Sequence, residues 1–408
     1  MNWKKTFIVS FIAQILGTIG FSFATPFLPF FVAELGVEGI GAQALWAGIA
    51  LSSAGLTFAI FAPVWGLFAD RYGRKPMVCR AMFGGALVLF LMSFARTMPQ
   101  LVMLRLCQGA LSGSLTASIV LVASVVPQKH SGLTLGMMQT AVFIGLAVGP
   151  FFGGMAADAF GYRTSFQIGA LLILMGGLLV YLGIRENFTP THASVSADSP
   201  GFINILLLSG FLISVVVMFS VRLSNSMATP SFPLIMKDII GTTKNLNSIT
   251  GAVIAAAAVA GAFSAAILGH VGDRIGRRRI LIGCCIGACV ASVGHFFAQD
   301  LPTLFAMRIL FGFSVAGMLP AANAMIHAVI DQRSIGKAYG LATSLSMLGV
   351  AIGPTIEGYI AMKAGLKVPF LIAGAAQISL AILILLFFHE RRADMGMAKA
   401  SKINRYPQ

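Results

Sequence analysis

Charged side chains inside long apolar runs are the residues of this chain most suited to chemistry. Arg105 lies in the run VMLRLCQGAL, and Arg222, Arg308 and Glu357 lie in comparable runs. A charge in the hydrocarbon core of a membrane is unfavourable, so such residues usually mark the path of an ion or a substrate. A low dielectric favours the neutral form of a carboxyl group. Glu357 is therefore a candidate proton carrier, with Arg222 as a candidate partner.

Each of these assignments has a structural alternative. A buried arginine can bond to backbone carbonyl groups, and Glu357 can lie near a helix end where it reaches water. Arg105 is a stronger candidate for proton coupling than Arg308. Gln108 follows Arg105 by three residues, whereas Phe311 stands at the same distance from Arg308.

The elements that position these residues are predicted to be transmembrane helices. Of the 408 residues, 57% are apolar and 10% are charged, with a mean hydropathy of +0.89. Soluble domains have about 25% charged residues, and a helix needs roughly 20 apolar residues to cross a bilayer. That length predicts twelve helices, the first a retained helix rather than a cleaved signal peptide. They cover 6–34, 46–68, 77–97, 101–126, 132–157, 164–184, 203–236, 248–270, 279–298, 303–330, 337–362 and 369–389.

The distribution of basic residues predicts the orientation. Of the 28 Lys and Arg residues, nineteen fall at the termini and in alternate loops, six in the remaining loops, and three inside helices. Positive charge accumulates on the cytoplasmic side. We therefore expect a multi-pass inner-membrane protein with both termini in the cytoplasm, and the net charge of +15 requires no nucleic-acid partner.

Landmarks repeat at an offset of 203 or 204 residues, which indicates two homologous halves. The segment TPFLP with Pro26 returns as TPSFP with Pro230, and Gly149-Pro150 returns as Gly353-Pro354. We predict an all-α membrane protein with twelve helices in two pseudo-symmetric six-helix halves. The predicted boundaries are a first half at 1–186, a cytoplasmic linker at 187–201, a second half at 202–393 and a cytoplasmic tail at 394–408. A repeat of this kind places the substrate site between the halves, near the bilayer midplane.

A loop motif, GLFADRYGRK, connects helices two and three. Its glycines permit a tight turn, and its carboxylate can pair with an arginine or cap the next helix. The alternative is that the loop only carries the positive charge typical of the cytoplasmic side. This would account for the arginines, but not for the Gly-Asp-Gly register or the second copy. We predict a role in gating for Gly66, Asp70, Arg71, Gly73 and Arg74, and for Asp273, Arg274 and Gly276 in the second copy.

A glycine motif, GLAVGPFFGG, lies in helix five. Glycines four residues apart share one helix face and let two helices approach closely, and the proline adds a kink that simple packing does not require. The motif consists of Gly145, Gly149, Pro150, Gly153 and Gly154.

With the repeat and the helix count, these motifs resemble the major facilitator superfamily over nearly the whole chain. GxxxGPxxGG is similar to the antiporter signature of its twelve-helix drug:proton branch, and the N-terminal stretch is similar to multidrug exporters of that branch. The Arg105–Gly109 segment resembles an RxxxG signature of proton-linked members. The resemblance implies that the loop stabilises an outward-open state and that helices 1, 4, 7 and 10 line a cavity. The candidate lining residues are Phe21, Thr25, Gln108, Arg222, Asn225 and Asn323.

The sequence thus predicts a secondary active transporter, not an enzyme, that exports amphipathic small molecules or drugs in exchange for protons. We expect a monomer in the lipid bilayer, with no cofactor, metal or nucleotide site. The excess of intramembrane arginine favours neutral or anionic substrates. One alternative is a transporter of an anionic metabolite or siderophore. An alternative of another class is a non-transporting receptor or scaffold, although such a protein needs neither the loop motifs nor the intramembrane arginines.

The orientation can be tested by labelling single cysteines in a cysteine-free version. A cysteine at Gln100 should react with an impermeant maleimide in intact cells, because we place it outside. A cysteine at Ser196 should react only after the cells are opened. The reverse pattern would contradict the predicted orientation.

Overall fold

The structure is a computed structural model that describes residues 3–186, 209–241, 244–329 and 335–387. Every regular element within these ranges is helical. The predicted linker 187–201 and the predicted tail 394–408 lie outside the described residues.

The described residues form twelve transmembrane helices, six in each half. The first half contains α1 (Trp3–Phe23, continued as Leu28–Glu34), α2 (Ile40–Tyr72), α3 (Arg74–Met92), α4 (Met98–Leu111, continued as Ser114–Ala123), and α5 and α6 within Gln128–Gly183. The second half contains α7 (Ser209–Met227, continued as Ser231–Ile240), α8 (Leu246–Ile275), α9 (Arg277–Phe297), α10 (Leu301–Val329), α11 (Ile335–Ala364) and α12 (Val368–Phe387).

The segment Gln128–Gly183 contains two membrane crossings. The described residues form 11 continuous helical stretches that are long and apolar enough to span a membrane, and this stretch has 56 residues. At 1.5 Å per residue it would be about 80 Å long, far beyond the ~30 Å of hydrocarbon. Gly161 divides it, with a φ of 82° that only glycine adopts readily. The predicted number of twelve helices is therefore confirmed.

Three helices, α1, α4 and α7, are interrupted within the membrane. In α1 a turn at Thr25–Phe27 contains Pro26, and in α7 the break precedes Ser231 and contains Pro230. Proline has no backbone N–H and disrupts an α-helix. The breaks in α1 and α7 occupy equivalent positions in the two halves, and such breaks expose backbone groups that a transporter can use.

Equivalent hydrogen bonds confirm the repeat. In the first half, the Ser22 hydroxyl of α1 donates to the Gly145 carbonyl of α5 at 3.0 Å. In the second half, the Ser226 hydroxyl of α7 donates to the Gly349 carbonyl of α11, also at 3.0 Å. Each pair is separated by 123 residues, so the first and fifth helices of both halves pack in the same way.

The two halves meet along two seams, one between α2 and α11 and the other between α5 and α8. A methyl group on Gly48 would overlap the carbonyl of Pro354, and one on Gly251 would overlap the carbonyl of Pro150. Both seams lie toward one end of the helices, which we call the closed face. This face comprises the described residues at 35–39, 93–97, 161, 241, 244–245, 298–300 and 365–367.

The opposite helix ends form the basic face, which includes Arg71, Arg74 and Arg274. Open space surrounds α5 and α11 toward this end. No neighbouring atom lies within 4 Å of a Cβ built on Gly136 or Gly340. The described contacts between the halves are therefore concentrated toward the closed face.

Enlarging a seam glycine should prevent this closed arrangement. The side chain of a Gly48→Val variant would overlap the backbone of α11. We expect a reporter cysteine on the other seam, at buried Ala157, to become reactive toward an aqueous maleimide. Gly136→Val is the matched control and should leave the reporter protected, because its side chain enters open space. An unreactive reporter in correctly inserted Gly48→Val would contradict the role of the seam.

Candidate functional site

The glycine motif of α5 first brings α5 against α1. Side chains at Gly145 and Gly149 would overlap Thr18 and Ser22, and a side chain at Gly153 would overlap the backbone of Phe23. The residue after Phe23 begins the interruption of α1. The motif thus lets α5 lie directly against the interrupted part of α1.

Two other residues of the motif face the second half of the chain. The carbonyl of Pro150 lies against Gly251, and Gly154 lies against the carbonyl of Asn247. Both partners belong to α8, so the motif forms part of the seam between the halves. The predicted motif residues therefore fall into two groups, one at a contact within the first half and one at a contact between the halves.

Glu357 occupies the position in α11 that corresponds to Gly153. Its side chain is fully buried, and Oε1 accepts a hydrogen bond from the backbone N–H of Ser231 at 3.0 Å. Ser231 begins the second segment of α7, where a carboxylate is stabilised by the free N–H groups of the helix. Glu357 Oε2 and Ser231 Oγ have no hydrogen-bond partner among the described residues. Each side chain therefore keeps one polar atom that could bond to a further group.

The partnership suggested between Glu357 and Arg222 is not formed in this conformation. Within the described ranges the ion pair is between Arg163 and Glu34, with 2.7 Å between Nε and Oε1. The Nε of half-buried Arg222 has no hydrogen-bond partner in that part of the chain. Among the described residues, Arg222 thus forms no ion pair.

Arg105 is buried inside the first half and is not open to water. Only 3% of the residue is exposed, and Nη1 donates a hydrogen bond of 2.8 Å to Oε1 of Gln108. The Nε and Nη2 atoms have no partner among the described residues. Burying a guanidinium with unpaired donors is energetically unfavourable. An anionic or polar ligand, or water, could satisfy these donors.

Arg308, the equivalent residue of the second half, has a different environment. Its Cζ lies 4.1 Å from the ring centre of Phe232 and 5.8 Å from that of Phe311. Cation–π contacts thus take the place of the hydrogen bond that Gln108 gives Arg105. The exchange of Gln108 for Phe311 therefore changes the contact of the arginine, from a hydrogen bond in the first half to a cation–π contact in the second.

His295 lies in the same region as Arg308 and also contacts Phe311. It is fully buried and stacks on Phe370 with 4.9 Å between ring centres. Nδ1 donates to the carbonyl of Ala291 at 2.7 Å, since that carbonyl can only accept. The Nε2 atom has no partner within the described ranges.

The loop motif forms the predicted tight turns. Gly73 has a φ of 98° and Gly276 has a φ of 100°, and both separate helices that would otherwise be continuous. Glu186, at the end of α6, accepts hydrogen bonds from the backbone N–H groups of Arg74 at 3.0 Å and Lys75 at 2.8 Å. Arg71 and Arg274 are exposed, and open space surrounds Gly66. The side chains of Asp70 and Asp273 lie outside what the structure describes.

Phe21, Thr25 and Asn225 lie near the breaks of α1 and α7. The ring of Phe21 packs against Gly85 of α3, and the Thr25 hydroxyl donates to the Phe21 carbonyl at 2.7 Å. Asn225 is exposed. The side chain of Asn323 lies outside the described residues.

Three polar residues of the site were not selected from the sequence. Asp158 and Glu186 each accept hydrogen bonds at the start of another helix, and Ser231 donates to Glu357. Their partners lie 89 to 126 residues away along the chain. No local spacing could have revealed these contacts.

In the part of the chain that the structure describes, twelve transmembrane helices form two repeated halves with intramembrane charges and a glycine-lined seam. These features define a secondary transporter. The model of the Major Facilitator Superfamily matches residues 10–221 and 214–403. The chain belongs to this superfamily, whose members are membrane-embedded transporters of small substrates and not enzymes.

Proteins with similar sequences align with nearly the whole chain. The multidrug resistance protein MdtG of Enterobacter lignolyticus is 32% identical over 381 residues, which are 91% of this chain and 89% of that protein. The multi-drug resistance efflux pump PmrA of Streptococcus pneumoniae is 30% identical over 375 residues, covering 91% of this chain and 92% of that protein.

Solved structures share the fold at lower sequence identity. A bacterial homologue of the human lysosomal transporter Spinster has a TM-score of 0.78 and 14% identity, covering 93% of this chain and 95% of that one. The human organic anion transporter MFSD10 (TETRAN) has a TM-score of 0.67 and 16% identity, covering 94% of this chain and 100% of that one.

Substitution of Arg105 should impair transport more than substitution of Arg308. Arg105→Ala removes the buried cation and leaves Gln108 without its donor. Arg105→Lys keeps the charge but loses the planar set of donors. We expect Arg105→Ala to abolish proton-coupled flux at normal expression, Arg105→Lys to reduce it severely, and Arg308→Ala to have a milder effect. Flux would be measured in proteoliposomes under a pH difference, and small, equal losses for both alanine variants would show that the arginines are structural.

Proposed function

We propose that this chain exports amphipathic small molecules in exchange for protons, by alternating access between its two halves. The observation that carries the proposal is the similarity, over about nine-tenths of the chain, to relatives named as multidrug resistance and efflux proteins. The glycine motif supports it, because Pro150 and Gly154 lie in the seam that must open and close.

The proposed location is the inner membrane, with the basic face and both termini in the cytoplasm. The excess of Lys and Arg in the loops of that face supports this orientation. The closed face is then external, and the structure corresponds to a state in which substrate enters from the cytoplasm. The two halves that move in the proposed cycle belong to one chain, so the cycle needs no second subunit.

Proton coupling is assigned to Glu357, with Arg105 and Arg222 as the cations that influence it. Glu357 is fully buried, has one unused carboxyl oxygen, and lies at the break in α7. A carboxyl group in such a place binds a proton without leaving a buried charge. Release of this proton would then accompany the rearrangement of α7 against α11.

The interior charges favour neutral or anionic substrates over dications. Arg105 and Arg222 have guanidinium donors without a partner among the described residues, and Glu357, which keeps one unbonded oxygen, is assigned to the proton. An amphiphile with an acceptor group can satisfy such donors. Export or import of an anionic metabolite is the second candidate within transport, and membership of a transporter family argues against a receptor or scaffold.

The test is transport by purified protein in liposomes, with a panel of neutral, anionic and cationic fluorescent amphiphiles. We expect wild-type protein to concentrate neutral or anionic probes when a pH difference is imposed. Glu357→Gln keeps the shape of the side chain but cannot release a proton. It should lose this accumulation and retain probe binding and counterflow.

The matched control is Glu34→Gln, which alters an exposed carboxylate paired with Arg163. This variant should concentrate the probe as wild type does. Accumulation by Glu357→Gln under a pH difference would place the proton carrier elsewhere. Absence of counterflow by wild type for every probe would argue against export of amphiphiles.

A further inference from the structure

Asp158, near the end of α5, joins the two halves of the chain through its carboxylate. Oδ1 accepts hydrogen bonds from the backbone N–H and the side-chain amide of Asn247, at 3.2 and 2.8 Å. Oδ2 accepts from the backbone N–H and the hydroxyl of Ser248, at 2.7 and 2.5 Å. We infer that Asp158 is a positioning residue for transport: its carboxylate fastens α8 to α5 and holds the closed face shut.

The bonds exploit the free donors at the start of a helix. Asn247 and Ser248 are the second and third residues of α8, so their N–H groups have no partner within the helix. A carboxylate is stabilised there by the helix dipole, and bonds to an ionised acceptor are stronger than bonds between neutral groups. In addition, the amide of Asn247 donates to the hydroxyl of Tyr162 at 3.3 Å.

The charged and titratable groups around Asp158 do not compete with α8 for its carboxylate. Tyr162 is the titratable group joined to it through Asn247, and Arg163 on the next turn is engaged by Glu34 and by the carbonyl of Ser93. Among the described residues the carboxylate therefore receives its bonds from α8 rather than from a cation of its own half.

The other seam lacks an equivalent carboxylate. Met362 stands in α11 at the position that corresponds to Asp158, and it packs beside Gly41 of α2. The described polar bond across that seam runs from the Thr355 N–H to the Ser52 hydroxyl at 3.1 Å, between neutral groups. The two seams thus differ in strength, with the charge-assisted contact on α5 and α8.

This inference rests on alternating access, because the bonds of Asp158 must break each time the closed face opens. Asp158→Asn removes the charge and replaces one accepting oxygen with an NH2 group. That group cannot accept the hydrogen bonds that the oxygen received from α8. The closed arrangement should lose stability relative to one that is open at this face. The ratio of open to closed molecules should rise roughly tenfold, as expected for the loss of charge-assisted hydrogen bonds.

The ratio can be measured by pulsed electron paramagnetic resonance between spin labels at Arg96→Cys and Lys363→Cys in a cysteine-free version. Both positions are exposed on the closed face, one in each half. We expect Asp158→Asn to move the distance distribution toward longer values. The measurement needs neither substrate nor a pH difference, so it remains decisive even if the proposed export of amphiphiles is wrong.

The matched control is Asp300→Asn. Asp300 also accepts hydrogen bonds at a helix start, from the N–H of Thr303 at 2.8 Å and its hydroxyl at 3.1 Å, but entirely within the second half. This variant should keep the distribution of the parent protein.

If Asp158→Asn is not inserted normally, the double variant Asn247→Ala, Ser248→Ala serves instead. It removes two of the four donors and should give a smaller shift in the same direction. An unchanged distribution in the inserted variant, or an equal shift in Asp300→Asn, would overturn the inference.

Discussion

Close contact between helix backbones is the constraint on which the rest of the structure depends. Gly48 and Gly251 leave no room for a side chain where the halves meet, and Gly149 and Gly353 do the same between the first and fifth helices of each half. In a membrane, helices gain little from burying apolar side chains, so packing relies on small residues that allow close approach. Smooth surfaces of this kind also separate without disentangling large side chains, which suits an interface that opens and closes.

The pseudo-symmetry of the backbone is accompanied by an asymmetry of charge. The second half contains Glu357, His295 and Arg308, all buried, whereas the equivalent positions of the first half hold Gly153, Met92 and Arg105. The first half thus offers close packing and one hydrogen-bonded arginine, and the second half offers the ionisable groups. Under the proposed mechanism, proton binding belongs to the second half, and the first half supplies the surface against which it moves.

The fold could be predicted from the sequence because its determinants are local or repeated. Apolar length identifies the helices, and the constant offset identifies the halves, as the matching bonds of Ser22 and Ser226 show. The tight turns at Gly73 and Gly276 follow from the loop motif itself. The partners of the charged residues could not be predicted in this way. Glu357 was matched with an arginine by charge, yet it bonds to Ser231, because the break in α7 presents a free N–H group that no sequence pattern specifies.

The position of Glu357 suggests how a proton could influence the seam. Glu357 contacts the start of the second segment of α7, while the next residue, Gly358, lies directly against Ala44 of α2 in the other half. A change in the charge of Glu357 alters its bond to Ser231 and hence the fit of α7 against α11. Because the packed backbones at Gly358 have no flexible side chain to absorb a displacement, the proposed mechanism would transmit such a change to the seam. The same helix thus carries the proposed proton site and one of the surfaces that must separate, and coupling between them requires no relay of further residues.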